Sequence, residues 1–195
     1  MAQHTRTKAP PFTDLEEIAK ALKRGEPKAL EALVAKTQKS CFHLAYSLLG
    51  DSELAKDAVQ DAYLIVYQRA GQLRETRAIK SWLYRIVTHC SHQISRKRSR
   101  EFGSDMEGKE QLEKPPIGMS GDPDPASSVA DQHQLKQVFE DLPEIDRTSL
   151  ALREICSMSY EEMSRVLKVP LGTVRSRLAK ARKRFIATFK EKNHD

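Results

Sequence analysis

A chain of 195 residues with 31% charged but only 6% aromatic residues has too little bulk for one deep core, yet 39% apolar content excludes wholesale disorder, so small helical units are expected. The formal charge of +6 and a pI near 9.2 point to a polyanion partner, nucleic acid or an anionic membrane surface. Cys41, Cys90 and Cys156 lack the close spacing of a structural zinc site and make a poor disulfide framework. No stretch approaches the ~20 apolar residues that span a bilayer, and Met1 to Phe12 holds no signal-like apolar run, so a soluble cytoplasmic protein without membrane insertion is expected.

Charge is segregated along the chain. Residues 1–100 hold 18 Lys/Arg against 10 Asp/Glu, residues 101–131 hold 2 against 8, and residues 132–195 hold 13 against 9. Residues 1–13 mix Thr, Lys, Arg and Pro with little to bury and read as a disordered tail. From Asp14 the pattern is helical: Leu15, Ile18, Ala19 and Leu22 repeat at three and four, Gly25-Glu26-Pro27 interrupts, and Ala29, Leu30, Leu33 and Val34 resume. Gly50 reads as a helix stop, with Asp51-Ser52 capping a helix that reaches about Ala70.

On that helix Leu54, Ala58, Val59, Ala62 and Val66 can face inward. Asp57, Gln60, Asp61, Leu64 and Tyr67 share another side, an acidic, polar and apolar mixture that suits a protein partner or an ordinary solvated face. The next helix, from Lys80 to about Arg100, has an inward stripe of Leu83, Ile86, Val87, Cys90 and Ile94. Its second face carries Trp82, Arg85, His89, Gln93 and Arg96, and it ends in Arg96-Lys97-Arg98-Ser99-Arg100. An aromatic among hydrogen-bonding side chains beside a cationic run suits unstacked bases. The bland alternative makes Trp82 a core anchor and the basic run a complement to the helix dipole.

Between 101 and 131 periodicity vanishes among glycines and prolines, which marks an acidic flexible linker and splits the chain. The second unit, 132–192, opens with Leu135, Val138, Phe139 and Leu142 before Pro143 and continues in a helix from about Asp146 to Cys156. Cys156 ends that helix as a core residue. Ser159-Tyr160-Glu161-Glu162 is a capping box for a short helix ending at Leu167, and a basic helix follows from Leu171 to about Phe189. That layout is a helix-turn-helix, whose second helix enters the major groove. Val174, Leu178, Ala181 and Phe185 form its inward stripe. Gly172, Arg175, Ser176, Ala179, Lys180 and Lys183 face outward, where Arg175 has the fork that matches guanine, while Arg177, Arg182 and Arg184 are suited to phosphates.

Two segments carry a family resemblance. The first runs from Ala45-Tyr46 through Asp57-Ala58-Val59-Gln60-Asp61-Ala62-Tyr63 to Ser81-Trp82-Leu83-Tyr84-Arg85-Ile86. The second runs from Leu142-Pro143 through the capping box to Pro170-Leu171-Gly172-Thr173-Val174-Arg175-Ser176-Arg177-Leu178. Together they resemble RNA polymerase sigma factors of the extracytoplasmic-function type in the sigma-70 family. The resemblance implies an all-α fold of two small helical domains, a region 2 bundle over 14–100 and a region 4 helix-turn-helix over 132–192, joined by the linker. It further implies that Asp57, Gln60, Asp61 and Leu64 bind core RNA polymerase. Trp82, Arg85, His89, Gln93 and Arg96 would open and read the promoter −10 element, and Thr173, Arg175, Ser176, Arg177 and Lys180 the −35 element. Linker residues would thread toward the RNA exit path. Promoter DNA and core polymerase are the implied partners, with an anti-sigma factor holding the protein inactive and no cofactor.

The chain departs from the family pattern at His89, where Asn is common, at Gln93, where Asp or Asn is frequent, and at Lys168, where the turn often has Gly. Its −10 preference therefore cannot be carried over from relatives, and a left-handed Lys168 would strain the turn. A helix-turn-helix regulator acting without polymerase is disfavoured by the first segment and by the lack of a heptad seam. An enzyme acting on nucleic acid is disfavoured by the lack of a phosphate loop, a metal cluster or a nucleophile with a placed base.

Overall fold

The computed structural model describes residues 12–101 and 137–192. The expected linker beyond Glu101 and the expected tail through residue 11 lie outside the described residues, as do residues 193–195. Every regular element among the described residues is a helix. Helix α1 (Leu15–Lys23) starts at Asp14, whose carboxylate accepts from the Glu17 N–H, and Glu17 accepts from the Thr13 backbone N–H at 2.9 Å and hydroxyl at 2.8 Å. Lys36 reaches the Thr13 carbonyl and Phe12 packs on the core, so residues 12 and 13, read as tail from the sequence, are already held.

Helix α2 (Pro27–Leu49) has proline in its first turn and ends at Gly50, whose φ of 67° lets its N–H return to the Tyr46 carbonyl at 2.8 Å. Asp51 then caps α3 (Ser52–Gln68), accepting from the N–H groups of Glu53 and Leu54. Two 3₁₀ turns, Ala70–Gln72 and Thr76–Ala78, lead into α4 (Ile79–Glu101). Alanines 29, 32 and 45 of α2 and 55, 58 and 62 of α3 are fully buried, which lets these helices approach closely while Leu33, Leu44, Leu83 and Val87 fill the space between them. A buried polar pair beneath α3 is satisfied internally, with the Thr37 and Tyr63 hydroxyls 2.8 Å apart.

In the second unit residues 137–141 are helical and lead to α5 (Glu144–Leu150). This helix starts two residues earlier than its apolar pattern suggests. Pro143 supplies a carbonyl for the first N–H groups, those of Asp146 and Arg147, and lacks a donor of its own to leave unpaired. Nor does it run on regularly to Cys156: Ala151–Ile155 widens into a π turn, with the Cys156 N–H returning to the Ala151 carbonyl at 3.0 Å. The wider turn brings Leu152, Cys156 and Met158 into the core.

The helix-turn-helix consists of α6 (Tyr160–Leu167) and α7 (Leu171–Lys192). The expected capping box is present: the Ser159 N–H donates to Glu162 Oε2 at 2.7 Å and the Glu162 N–H to Ser159 Oγ at 3.1 Å. Lys168 lies in the left-handed region at φ 53°, ψ 45°, the strained position that the sequence pattern marks. Val174, Leu178 and Ala181 are buried and Phe185 packs beside them. Two arginines read from the sequence as suited to phosphates are ion-paired within the unit. Arg182 donates to Glu154 at 2.8 Å, and Arg184 is paired with the buried carboxylate of Asp146, so both fasten α7 to the rest of its unit. Sequence periodicity could not show this because both acids come from other elements.

Replacing Lys168 by Gly removes the Cβ penalty of the left-handed turn and should stabilise the protein by ~1 kcal/mol, read from the denaturant midpoint at unchanged slope. Arg184→Ala should cost ~1–3 kcal/mol in the same measurement, because it leaves the Asp146 carboxylate buried and unpaired.

Candidate nucleic-acid interfaces

On α7 the outward face is open. Arg175, Ser176, Ala179, Lys180 and Lys183 are exposed, Thr173 and Arg177 are half-buried, and a Cβ at Gly172 would meet nothing within 4 Å. The Ser176 hydroxyl donates to the Thr173 carbonyl at 3.1 Å, which leaves its oxygen lone pairs to accept from a base. Glu161 of α6 lies within electrostatic range of Arg175. Its carboxyl is held below the ordinary value first by a backbone hydrogen bond in its own turn and by Ser159, with Arg175 adding to the effect. The arrangement offers one fork-shaped donor, one hydroxyl acceptor and a flexible cation on a surface free of bulky side chains, which suits base edges in a major groove.

On α4 the second face emerges as the spacing suggests. His89, Gln93 and Arg96 are exposed, and Arg85 is half-buried. Trp82 is half-buried and packs on the core, so it combines the anchoring and the exposed role that the sequence left as alternatives. Among the helix's terminal cations, Arg98 comes within 3.9 Å of Asp51.

The mixed stripe of α3 is also outward. Asp57, Gln60 and Asp61 are exposed, as are Leu64 at 50% and Tyr67 at 47%. Beside it, α2 and α3 enclose a groove of about 630 Å³ with Leu30, Val34, Phe42, Val59, Tyr63 and Leu64 in its walls and Lys39 and Lys56 among its polar lining. The α2 half of this groove was missed in the sequence, where Leu30 and Val34 read only as part of a helical repeat.

All three cysteines are buried, and burial pushes the thiols up, to about 11 for Cys41 and Cys90 and to about 12 for Cys156. They are thus packing residues at neutral pH. No helix among the described residues is long and apolar enough to cross a membrane.

A further cluster joins the two units and has no counterpart in the sequence pattern. His92 of α4 places Nδ1 3.1 Å from Glu144 Oε1 and Nε2 3.2 Å from Thr148 Oγ1, both on α5. Arg147 donates to the Leu48 carbonyl at the end of α2 and to the Leu142 carbonyl. Burial lowers the His92 pKa, opposed by Glu144 and reinforced by Arg96, His89 and Arg147.

Comparison with known proteins gives this geometry its context. Residues 33–101 match the family model of sigma-70 region 2 and residues 132–185 that of sigma-70, region 4. The chain is 31% identical over 179 residues to the RNA polymerase sigma-H factor of Pseudomonas aeruginosa, covering 86% of this chain and 89% of that one. It is 28% identical over 170 residues to the ECF RNA polymerase sigma-E factor of Escherichia coli, covering 85% and 88%. Two solved structures share its fold. One is CnrH in complex with the cytosolic domain of CnrY, with TM-score 0.70, 19% identity, 91% of this chain and 97% of that chain. The other is the sigma factor RpoE in complex with the anti-sigma factor NepR from Bartonella quintana, with TM-score 0.68, 24% identity, 84% and 98%. With both regions matched and the likeness spanning nearly the whole of its relatives, the chain belongs to the sigma-70 family as an RNA polymerase sigma factor of the extracytoplasmic-function type.

Proposed function

We propose that this sigma factor divides its work among three helices. Helix α7 reads the −35 element through Arg175, Ser176 and Lys180, with Thr173 and Arg177 at the flanks. Helix α4 opens and holds the −10 element through Trp82, Arg85, His89, Gln93 and Arg96, and α3 docks on core RNA polymerase through Asp57, Gln60, Asp61 and Leu64. The domain division follows: 14–100 for polymerase and −10, 132–192 for −35, and 101–131 as the connection. The observation that carries this reading is the chemistry of the exposed faces. The two that would meet DNA are cationic and hydrogen-bonding, whereas the α3 face, on a protein of net charge +6, is acidic and apolar. DNA would repel that third face, and a protein partner would not.

The protein acts by binding and positioning, in the cytoplasm where its polymerase is, and no catalytic role is assigned to any side chain. An anti-sigma partner is part of the proposal, supported by the family and by the NepR complex of its structural neighbour. Arg182 and Arg184 already have carboxylate partners, and the proposal gives them no DNA role.

The test is reconstitution with bacterial core RNA polymerase and transcription from a library of randomised promoters. Co-elution together with transcripts sharing two sequence blocks is the expected result, and no binding in the absence of any anti-sigma factor would sink it. Arg175→Ala should weaken promoter use by ~1–3 kcal/mol and relax the preference at one −35 position; unchanged specificity removes that contact. Asp61→Lys should instead lower polymerase affinity equally at all promoters, measured by titration of core enzyme without DNA.

A further inference from the structure

Helix α1 has no part in the division of labour proposed above, and its contacts point to one. Its start is fixed by the Asp14 cap and by Lys36 on the Thr13 carbonyl, and its Ile18, Ala19, Ala21 and Leu22 are buried. The helix packs on α2, on both 3₁₀ turns of the α3–α4 connection and on α4 itself. Glu16, Lys20 and Lys23 recur at four and three and so share one side. From that side Lys23 Nζ donates to the Leu73 carbonyl at 2.9 Å, 50 positions away. Glu16 accepts from Arg77 Nε at 3.1 Å and, more weakly, from the Thr76 hydroxyl at 3.4 Å. Lys20, 3.0 Å from Glu16, keeps that carboxylate in place.

The connection depends on such support. Residues 73–75 lie outside any helix, between two 3₁₀ turns of three residues each, and turns of that kind have poor hydrogen-bond geometry of their own. Ala70, Leu73 and Ile79 bury their side chains, but the Leu73 carbonyl is met by a side chain from α1. The Glu16–Arg77 pair is exposed on the arginine side and contributes little alone. Together with Lys23 it grips the stretch 73–75 at both ends. What the connection carries gives this a consequence. It holds Arg69, Arg74 and Arg77 against a single acid, Glu75, and all four are exposed. It then runs straight into α4, where Trp82 and Arg85, the first residues of the face assigned to the −10 strand, follow within about two helical turns of Ala78. A shift of the connection therefore moves cations beside that face and the entry of the helix that bears it.

We infer that α1 is a brace for the −10 reader: Lys23 and Glu16 hold the α3–α4 connection and act on promoter opening through it, as positioning residues that do not touch DNA. This rests on the sigma-factor reading above. The two residues carry opposite charge, which separates a brace from a direct contact. If α1 lay against DNA, Lys23→Ala would weaken binding and reduce the salt slope by ~1, whereas Glu16→Ala would strengthen binding by removing a repulsive charge. Loss of a brace instead acts in the same direction for both.

The test uses the full-length protein with core polymerase and a promoter selected by the unmodified protein. Lys23→Ala and Glu16→Ala should each lower the open-complex yield, read from permanganate reactivity of unpaired thymines, by ~5-fold, what one net hydrogen bond is worth. Both should also alter the base preferred in a randomised −10 block, with the −35 block, the salt slope and the affinity for core polymerase unchanged. Lys23→Arg keeps a cationic donor and should restore most of the opening. A merely structural role would lower the denaturant midpoint and leave the −10 preference where it was. Effects of opposite sign in the two alanine variants would overturn the brace, as would an unchanged −10 preference in variants that fold and bind polymerase. Should Lys23→Ala fail to fold, Glu16→Ala, which removes only exposed contacts, decides by the same two readings. If the unmodified protein itself yields no transcripts, the sigma-factor reading fails, and this inference with it, a result distinct from an active protein indifferent to both substitutions.

Discussion

Helix α4 has to face three ways at once, and the remainder of the structure is arranged around that demand. With 3.6 residues per turn a helix offers room for about three stripes, and over 23 residues each stripe collects several side chains. The apolar stripe through Leu83, Val87 and Cys90 is buried against α2 and α3 and holds the helix in the first unit. On the next stripe His92 meets the second unit, while the Tyr84 hydroxyl donates to Ser40 of α2. The stripe through Arg85, His89, Gln93 and Arg96 is left toward solvent. A fully apolar helix could not do this, and neither could one with a single amphipathic face.

The second unit meets a different constraint, the anchoring of a recognition helix whose outer face must stay free. Its inward stripe of Val174, Leu178 and Ala181 is narrow and made of modest side chains. The helix is secured further by ion pairs near its middle, where Arg184 meets Asp146 and Arg182 meets Glu154. At its near end the capping box and the turn set its entry, with Lys168 accepting a left-handed backbone that glycine would adopt more readily. Arginines are thus divided by position along one helix, those in the first two turns outward and available, two of those beyond committed to structure.

Much of this was written in the linear chain. Helix class, the Gly50 stop, the Ser159–Glu162 box, the inward stripes of α4 and α7 and the outward mixed stripe of α3 all depend on residues within a few positions of each other, and local periodicity and capping chemistry suffice to read them. The strain at Lys168 was legible for the same reason, because a helix-turn-helix turn has a fixed local geometry. What only the tertiary structure decided are the pairings across elements. Asp146 and Glu154 claim arginines about thirty or forty positions away, His92 finds Glu144 and Thr148 more than fifty residues on, and Arg147 reaches the Leu48 carbonyl 99 residues back. The π turn at Ala151–Ile155 belongs to the same class, since it follows from where the core needs Leu152 and Met158. Sequence spacing encodes direction around a helix axis but carries no information on which other helix lies in that direction, and that is settled only when the apolar faces meet.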